Sequence, residues 1–426
     1  MDKCCYDIVI VGGGTSGVSA AYIAAKKGLR TLLVEQSDVL GGSITQGLVI
    51  PVMKVNSDDI NTEFYNDLLK FSKKYNASIT YCDNNTGWFN PELLKIVLDD
   101  MLKSVNCEVL FSTYPIDASY DTNSQLFCLL LNHKILSLRI ETDYIVDSTS
   151  NGKIFQILNY NFQEKNNLSQ AASLRFILSG VDVNAFKDWI IALDKDRNVT
   201  TACSVNGFTM LSTACTWDKS RDWALLPLFE KAIKDGVLEH NDCTYFQLFS
   251  VPNTNDSIAF NAPRIILDEG DDLLDAFVYS KALMQGRERI YRLLNFCKKY
   301  LIGFENSYIS HISDILGVRE SYRVKGKYTF TKDDIISPKN FDNIAFACDY
   351  PIDIHSNDKK SDRLEFTNHT YFVPIESLIC EQNSHLYCAG RIISADFEAH
   401  AAIRTQMSCF SMGEAAAKDI YNKLNN

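Results

Sequence analysis

The sequence predicts an α/β protein in which a Rossmann-like nucleotide-binding domain is built from both chain ends and carries an inserted α+β substrate lobe. Three observations lead to this fold class. A glycine-rich turn lies between a β-branched run and an alanine-rich helical segment within residues 7–36. Residues 155–307 mix apolar strands with a long helical pattern, and sheet-like sequence returns afterwards. No Pro/Gly/Ser-rich linker separates these parts, which is typical of an insertion and not of a tethered domain.

The glycine-rich turn follows the G-x-G-x-x-G spacing, with its glycines at Gly12, Gly14 and Gly17. In this pattern the first glycine allows a tight turn, the second lets a pyrophosphate approach the backbone, and the third lets the helix pack closely on the strand. A second strand, residues 30–34, delivers Glu35 about twenty residues past the glycines, where a carboxylate accepts the ribose hydroxyls of an adenosine. All these parts agree on a dinucleotide-binding site.

The helix after the turn spans residues 16–27, so its unpaired N–H groups and positive dipole end face the phosphates. Gly28 follows as a C′ residue. Beyond the second strand, Gly41, Gly42 and Gly47 suit a loop that lies along an extended ligand, and the alternative is a surface loop that needs positive φ. The candidate dinucleotide-binding residues of this region are Gly12, Gly14, Thr15, Ser16, Gly17, Glu35, Gln36, Gly41, Gly42 and Ser43.

Helical spacing returns in residues 60–73 and 91–104. Asn90 is placed to cap the second of these helices, and Pro91 suits its first position. Residues 108–144 then alternate apolar and polar positions between Asp- and Asn-containing turns, which predicts a β-meander.

The meander leads into a buried strand, residues 144–147, whose end faces the nucleotide crevice. A long helical pattern covers residues 271–299, and a final amphipathic helix covers residues 404–424. We predict that the first part of the nucleotide-binding domain covers residues 1–154 and that its second part covers residues 308–426. The inserted substrate lobe lies between them, over residues 155–307.

The chain has 426 residues, of which 46% are hydrophobic and 22% are charged, and its net charge is -11. This is the composition of a globular protein long enough for two or three lobes. The acidic balance argues against nucleic acid as a partner, because a nucleic-acid-binding surface needs a basic face. No apolar run approaches the roughly twenty residues of a membrane helix, and the first strand begins too close to Met1 for a signal peptide. We expect a cytoplasmic protein without a membrane span.

The 13 cysteines are scattered and never spaced C-x-x-C, so the sequence indicates neither a disulfide framework nor a zinc or iron–sulfur site. We therefore expect reduced, mostly buried thiols and no metal. The glycine pattern does not recur, which argues against a second nucleotide-binding site for NAD(P)H and against a flavin disulfide reductase.

A series of further blocks extends over nearly the whole chain. They are VGGGTSGVSAAYIAAKKG, VEQSDVLGGSITQGLV, DSTSNGK, AASLRFILSGVD, FNAPRI, ALMQGRERI, GFENSYISHISDILGVRESYRVKGKYTFTKDDI, YPIDIHS, YFVPIESLI and LYCAGRIISADFEAHAAIRTQMSCFSMGEAAA. In their order these blocks resemble the FAD-dependent oxidoreductase group of bacterial flavoproteins, in the glutathione-reductase-like superfamily. The resemblance implies a Rossmann-like FAD-binding domain that holds FAD extended, with its adenosine on Glu35, its pyrophosphate on residues 12–17 and its ring between the two lobes.

The resemblance also implies flavin contacts in two later blocks. The family motif D-A-T-G-D-G-D reads DSTSNGK here, with Thr149 retained and Ser150 in place of a glycine. Gly390 would let the backbone approach the flavin, and the helix that carries Gly413 would direct its N-terminal dipole at the ring, although this glycine also fits mere close packing. The candidates from these blocks are Thr149, Gly390, Arg391 and Gly413.

The candidate reacting groups lie in blocks that FAD binding does not require. His355 ends the YPIDIH run and His400 precedes the last helix, and an imidazole suits proton removal near neutral pH. Arg319 in GVRES and Arg391 in the AGR block are candidates to hold the polar end of a substrate. We place His355 and Arg319 first. The alternatives are a structural histidine and an Arg319–Glu320 ion pair.

We expect an FAD-dependent oxidoreductase, a dehydrogenase or an oxidase, that transfers a hydride from a small polar substrate to flavin N5. Clustered arginines favour an anionic or polyhydroxylated substrate. The electron acceptor can be O2, a quinone or a protein, and a homo-oligomer is compatible with the sequence. The alternative functions are a non-catalytic flavin-binding or electron-transfer subunit and, less favoured because of the acidic charge, an RNA-modifying flavoprotein.

Overall fold

Two main sheets organise the chain, one mainly parallel and one antiparallel, with two-stranded sheets beside them. A computed structural model describes them through residues 4–164, 170–217, 221–268, 270–356 and 362–426. None of the helices in these ranges is long and apolar enough to cross a membrane.

The strands of the first part of the chain are β1 (Cys4–Val11), β2 (Thr31–Val34), β3 (Ser78–Ile79), β4 (Trp88–Phe89), β5 (Glu108–Leu110), β6 (Thr113–Asp121), β7 (Leu126–His133) and β8 (Leu136–Asp147). Those of the middle part are β9 (Ala172–Ser173), β10 (Phe176–Ser179), β11 (Thr201–Val205), β12 (Phe208–Thr216), β13 (Tyr245–Ser250), β14 (Ile258–Phe260), β15 (Arg264–Ile265) and β16 (Tyr308–Ile312). Those of the last part are β17 (Ile344–Cys348), β18 (Ile352–Ile354), β19 (Arg363–Glu365), β20 (Tyr371–Pro374) and β21 (Leu386–Cys388).

The α-helices are α1 (Thr15–Lys26), α2 (Glu63–Lys74), α3 (Pro91–Ser104), α4 (Lys153–Ile157), α5 (Val183–Leu193), α6 (Leu226–Lys234), α7 (Ala276–Tyr300), α8 (Lys332–Ile336), α9 (Phe397–Ile403) and α10 (Gln406–Asn425). α1 begins as the fingerprint predicts, and Gly28 follows it with a φ of +90°. α3 has the predicted bounds, and the Asn90 side chain accepts two backbone N–H groups as its N-cap. α10 matches the predicted last helix, whereas α9 was not expected.

The mainly parallel sheet has the strand order β5-β2-β1-β8-β7-β6, with β21 also paired to β8. The pairs β5–β2, β2–β1, β1–β8 and β8–β21 are parallel. Parallel neighbours need long crossover connections, and here these pass through helices or through the second lobe. Because β21 comes from the last part of the chain, both chain ends contribute to this sheet. The predicted fold class is confirmed.

The predicted meander over residues 108–144 is correct only in part. β6, β7 and β8 are antiparallel neighbours, but β5 pairs in parallel with β2 because it returns to the sheet through the α3 crossover. β8 pairs with β7 along its first part and with β21 along its last residues, while β1 lies on its other side. One strand therefore joins the meander to the parallel sheet and ends at Asp147, the predicted position.

The antiparallel sheet of the second lobe has the strand order β11-β12-β13-β14-β10-β16. Its core is aromatic, with Phe176, Phe246 and Phe296 fully buried between the sheet and helices α6 and α7. The last strand, β16, lies beyond residue 307, where the sequence placed the end of this lobe. The proposed domain boundaries stay a prediction.

The two ends of the chain meet where α1 packs against α10. Both helices are buried along most of their length. A Cβ on Gly413 would clash with the carbonyl oxygen of Ser16, so only glycine lets the helices approach this closely. The start of α10 is thereby held beside the start of α1.

Candidate active site

A cavity of about 1450 Å³ lies between the carboxyl ends of β1, β2 and β8 and the sheet of the second lobe. Ligands bind at this edge in open α/β sheets. The volume exceeds the roughly 300–1,000 Å³ of ordinary small-molecule pockets. The cavity therefore has room for an extended dinucleotide and for a further small molecule.

The dinucleotide end of the cavity is formed by the glycine-rich turn. Gly12 has a φ of +100°, which side chains rarely adopt. A Cβ on Gly14 would meet no protein atom within 4 Å, so the space in front of it is free for a ligand. α1 begins without a side-chain cap, which leaves its first N–H groups available to a phosphate. These features fit the pyrophosphate of a dinucleotide.

Glu35 lies buried at the end of β2. Its carboxylate oxygens accept the backbone N–H groups of Gly13 at 2.6 Å and of Ser37 at 2.7 Å. A carboxylate accepts about four hydrogen bonds, so lone pairs remain for ribose hydroxyls. The backbone thus fixes the orientation of Glu35 before a ligand binds, and this geometry fits its predicted role.

Gln406, at the first position of α10, ties the cofactor segments together. Its Oε1 accepts the hydroxyl of Thr15 at 2.5 Å, and its Nε2 donates to Ser43 Oγ at 2.6 Å. All three side chains line the cavity. Gln406 was not among the predicted residues, because nothing local in the sequence shows that the start of α10 meets the start of α1.

Most of the predicted cofactor residues line the cavity, namely Gly12, Gly14, Thr15, Ser16, Glu35, Gln36, Gly42, Ser43, Thr149, Gly390 and Arg391. Three predicted residues, Gly17, Gly41 and Gly413, are not among the lining residues. A Cβ on any of these three would come within 3.0 Å of a neighbouring protein atom. These contacts fit the close packing predicted for Gly17 and the packing alternative for Gly413, and a ligand contact of the three glycines stays a prediction.

The loop after β8 is anchored by Asp147, which is fully buried. Its carboxylate accepts the hydroxyl of Thr149 at 2.6 Å and the N–H of Ile154 at 2.8 Å. Burial raises the pKa of Asp147 to about 6, although these hydrogen bonds oppose the shift. The carbonyl of Ser150 accepts two N–H groups of Arg391, at 3.2 and 3.3 Å. The loop thus stays anchored although serine replaces the glycine of the family motif.

Arg391 lines the cavity, but its donors are engaged with the protein. Besides the Ser150 carbonyl, its guanidinium donates to the carbonyl of Val318 in the GVRES segment. Burial lowers the pKa of Arg391 to about 10. The side chain therefore connects the two segments of the cavity lining that carry Ser150 and Val318, and it keeps few donors for a substrate.

His400 is fully buried in α9 and is not among the residues that line the cavity. Its Nε2–H donates to the carbonyl of Arg391 at 2.8 Å, and its Nδ1 has no partner among the described residues. Burial, together with the charges of Arg323 and Arg404, holds the pKa of His400 well below its usual range. We therefore correct its assignment as a reacting group: it is a neutral side chain that positions Arg391.

Four of the six arginines that line the cavity form one charged cluster. We call them the arginine wall, and they are Arg175, Arg264, Arg319 and Arg404. Burial lowers the pKa of Arg319 to about 9, and the positive charges of Arg404, Arg264 and Arg175 add to the shift. The other three guanidinium groups therefore lie close enough to repel that of Arg319.

Arg319 faces a carbonyl and not a carboxylate. It donates to the carbonyl of Ala171. The sequence suggested Glu320 as its partner, whereas the structure pairs Glu320 with Arg323. Arg323 also donates to the carbonyl of Ala395 at 3.0 Å and is buried, so this pair is structural. The positive charge of Arg319 is therefore available to an anion in the cavity.

His355 lies on the same wall, and both of its ring nitrogens are engaged. Nδ1 accepts an N–H of Arg264 at 3.1 Å, so Nε2 carries the proton and donates to Asp353 at 3.2 Å. Burial lowers the pKa of His355 to about 4, the charge of Arg319 adds to the shift, and the bond to Asp353 opposes it. The imidazole is therefore neutral at pH 7 and orients Arg264.

Asp353 carries the negative charge beside this histidine. Burial alone would raise its pKa, but the hydrogen bond from His355 and the charges of Arg404 and Arg319 lower the pKa to about 2. The hydroxyl of Tyr350 lies 3.5 Å from the carboxylate, and burial raises the pKa of that phenol. At neutral pH Asp353 is therefore ionised and Tyr350 is protonated.

Within the described ranges, no group of three or more His, Cys, Asp or Glu side chains could hold a metal ion. The cysteines whose side chains are described are free, and Cys409 lines the cavity. Burial raises the pKa of the Cys409 thiol to about 11, so it is protonated at neutral pH and a poor nucleophile.

A model of the family described as FAD dependent oxidoreductase matches residues 7–419. Thiamine thiazole synthase from Metallosphaera sedula is 40% identical over 76 residues, which are 17% of this chain and 28% of that protein. Digeranylgeranylglycerophospholipid reductase from Methanocaldococcus jannaschii is 35% identical over 65 residues, 15% of this chain and 17% of that protein. This chain thus matches less than a third of the length of either relative.

Among solved structures, a geranylgeranyl bacteriochlorophyll reductase-like protein from Thermoplasma acidophilum is 11% identical. The alignment covers 99% of this chain and 79% of that chain, with a TM-score of 0.47. The family model, which matches residues 7–419, therefore covers nearly the whole chain.

Proposed function

Because the chain belongs to the FAD dependent oxidoreductase family, we propose that it is an enzyme that transfers a hydride from a small anionic substrate to bound FAD. The family match confirms the FAD cofactor expected from the sequence, whereas the placement in the glutathione-reductase-like superfamily stays a prediction. The observation that carries the proposal is that the arginine wall and the glycine-rich turn line one cavity.

The residues of the dinucleotide end fit FAD. The open space at Gly14 and the uncapped start of α1 would take the pyrophosphate, and Glu35 would take the adenosine ribose. Thr149 and Gly390 line the cavity and would contact the flavin part. When bound, FAD supplies flavin N5 as the acceptor for a hydride.

The arginine wall would hold and orient the substrate. Guanidinium forks match carboxylates and phosphates with two parallel hydrogen bonds. Arg319 donates to a carbonyl, and Arg175 makes only a long contact of 3.5 Å to the carbonyl of Leu48, so both keep donors for an anion. A non-catalytic electron-transfer subunit would have no need for such a wall beside its cofactor.

His355 is the proposed proton acceptor, and its availability depends on Arg264. The lone pair of His355 Nδ1 is occupied by an N–H of Arg264. A substrate anion that takes this N–H releases Nδ1, and its negative charge raises the proton affinity of the ring. Substrate binding would thus prepare the base that removes the proton from a C–OH or C–NH group as the hydride leaves.

Anaerobic reduction of the bound flavin tests the proposal. The FAD-loaded protein is mixed with small carboxylic, hydroxy and amino acids, phosphorylated sugars, neutral sugars and simple amines, and the visible absorbance of the flavin is followed. We expect bleaching by one or more anionic compounds. Bleaching by neutral sugars or simple amines alone would show that the substrate is not an anion. Admitting O2 or a quinone afterwards would identify the electron acceptor.

A further inference from the structure

The charges around the arginine wall do not balance within the described chain. The wall carries four guanidinium groups, and the acids that line this part of the cavity are Asp353 and Asp362. A neighbouring arginine, Arg363, is neutralised by Glu365 and Glu398. The histidine bonded to Asp353 is neutral at pH 7. Two positive charges of the wall therefore have no acidic partner among the described residues, and the nearby Arg391, which donates to carbonyl groups, adds to this excess.

The same wall contains polar atoms without partners. Arg264 is only 4% exposed, and its Nε is buried without a hydrogen-bond partner among the described residues. The Nε of Arg404 and the side-chain oxygen of Asn261 are also buried without a hydrogen-bond partner among the described residues, and Asn261 also lines the cavity. Buried polar groups are normally paired, because an unmet donor or acceptor costs about 1–3 kcal/mol. These atoms therefore indicate a polar ligand with both anionic and donating groups.

We propose that the arginine wall binds a small dianion, either a dicarboxylate or a phosphomonoester, that also donates a hydrogen bond to Asn261. This inference rests on the proposed function, because it names the substrate class of that site. A dianion neutralises both excess charges, whereas a monoanion leaves one of them uncompensated. Arg175 and Arg319 keep terminal N–H groups for an anionic group, and the unpaired Nε atoms of Arg264 and Arg404 offer further donors.

The pyrophosphate of FAD does not account for this excess. The expected seat of the pyrophosphate is the start of α1 with Gly12 and Gly14, at the carboxyl end of β1. Arg175 lies beside β10 and Arg264 lies on β15, both in the second lobe. Arg319 and Arg404 come from the last part of the chain, so no arginine of the wall belongs to the strand–helix unit that would seat the pyrophosphate, and each set takes its own anion.

Binding to the FAD-loaded protein tests the inference without turnover. Malate, glycerol 3-phosphate, butyrate and 1,4-butanediol are titrated under air, and dissociation constants are taken from the change in the flavin spectrum and from the melting temperature. We expect at least one dianion to bind at least about tenfold more tightly than butyrate, which is about 1.4 kcal/mol. The dianion that binds more tightly shows whether the ligand is a dicarboxylate or a phosphomonoester. Equal affinity for butyrate and both dianions, or binding by neither dianion, would overturn the inference.

Variants of the wall sharpen the test. Arg175→Met should remove the preference for a dianion over butyrate and keep weak butyrate binding, because one excess charge is lost. Arg287→Met, which removes an exposed arginine of α7, should keep the full preference. Arg175→Lys keeps the charge if the methionine variant does not fold, and it should retain a preference for dianions. An unchanged preference in Arg175→Met would contradict the charge argument.

The outcomes separate this inference from hydride transfer. Tight binding of a dianion with no anionic compound able to reduce the flavin would leave the dianion site intact and refute the proposed reaction. Reduction by a monoanion that binds more tightly than any dianion would keep the reaction and refute the dianion site.

Discussion

The two ends of the cavity are built to hold anions by different means. At the dinucleotide end, the anion-binding groups are backbone N–H groups and the open space at Gly14. At the arginine wall, they are side chains from distant segments, and their mutual repulsion helps to lower the pKa of Arg319 to about 9. Backbone groups held in a helix and strands need no ligand to be stable, whereas like charges at short range do. The cofactor end is therefore complete without its ligand, and the arginine wall is under electrostatic strain until an anion binds.

Gly14→Val should have the largest effect, because it fills the open space at the dinucleotide end. No protein atom lies within 4 Å of a Cβ at this position, so folding should be little affected. We expect FAD affinity to fall by at least about a hundredfold, or 2.7 kcal/mol, measured by flavin content and by titration of the apoprotein. Ala25→Val adds a similar side chain at the far end of α1 and should load FAD normally. Full loading of the Gly14→Val protein would mean that the pyrophosphate lies elsewhere.

Arg319→Met tests whether the wall is strained. Substrate affinity should fall by about a hundredfold, while FAD content is retained and the melting temperature is unchanged or raised, because one repelling charge is removed. Stopped-flow reduction at several substrate concentrations separates weaker binding from a slower step at saturation.

Arg323→Met is the matched contrast for this prediction. Arg323 is buried and paired with Glu320, so its loss removes the cationic partner of a half-buried carboxylate. Removing one partner of such a pair costs about 3–5 kcal/mol of folding stability. If Arg319→Met loses FAD or unfolds in the same way as Arg323→Met, then Arg319 is a brace between the lobes and not a substrate ligand.

His355→Gln should change how folding stability depends on pH, and this effect is smaller than those of the variants above. The pKa of His355 in the folded protein, about 4, lies below its ordinary value of 6.5, so the folded state binds this proton less readily than the unfolded state. The stability from this group is present above about pH 6.5 and is lost as the pH falls toward 4. Between pH 7.5 and 5 the wild type should lose about 2 kcal/mol through His355, and the glutamine variant should lose correspondingly less. The free energy of unfolding is measured with urea at both pH values. If the wild type and the variant lose the same amount between them, the pKa of His355 is not depressed.

Cys409→Ser should have the smallest effect. The thiol lines the cavity but is protonated at neutral pH, because burial raises its pKa to about 11. We expect the rate of flavin reduction to change by less than about tenfold, or 1.4 kcal/mol. Cys388→Ser, at a buried position of β21, is expected to stay within the same limit. A loss of a hundredfold or more in Cys409→Ser alone would assign the thiol a direct part in the reaction.

The dinucleotide end could be predicted from the sequence because its determinants are local. Gly12, Gly14 and Glu35 lie within one strand–helix–strand unit, where spacing along the chain fixes position in space. The roles of Gly41 and Gly413 could not be decided from the sequence, because a glycine needed for close packing and a glycine needed for a ligand look alike in sequence.

The arginine wall could not be predicted in the same way. Arg175 and Arg404 are far apart in the chain, and no local pattern shows that they reach one cavity. His355 and Arg319 were selected from their blocks and do line the cavity, but their hydrogen bonds depend on residues from other segments. His400 was selected on the same grounds and is buried behind the wall. The residue types in a block indicate chemistry, whereas the tertiary fold decides which of them reaches the ligand.

The packing of α10 on α1 also bears on how this protein is synthesised. α1 leaves the ribosome early, but the helix that covers it and supplies Gln406 to the cofactor site is made from residues 406–425. Domains fold as units during translation at about 5–20 residues per second. The nascent chain therefore exposes the apolar face of α1 for tens of seconds, and FAD can be captured in full only after α10 has emerged.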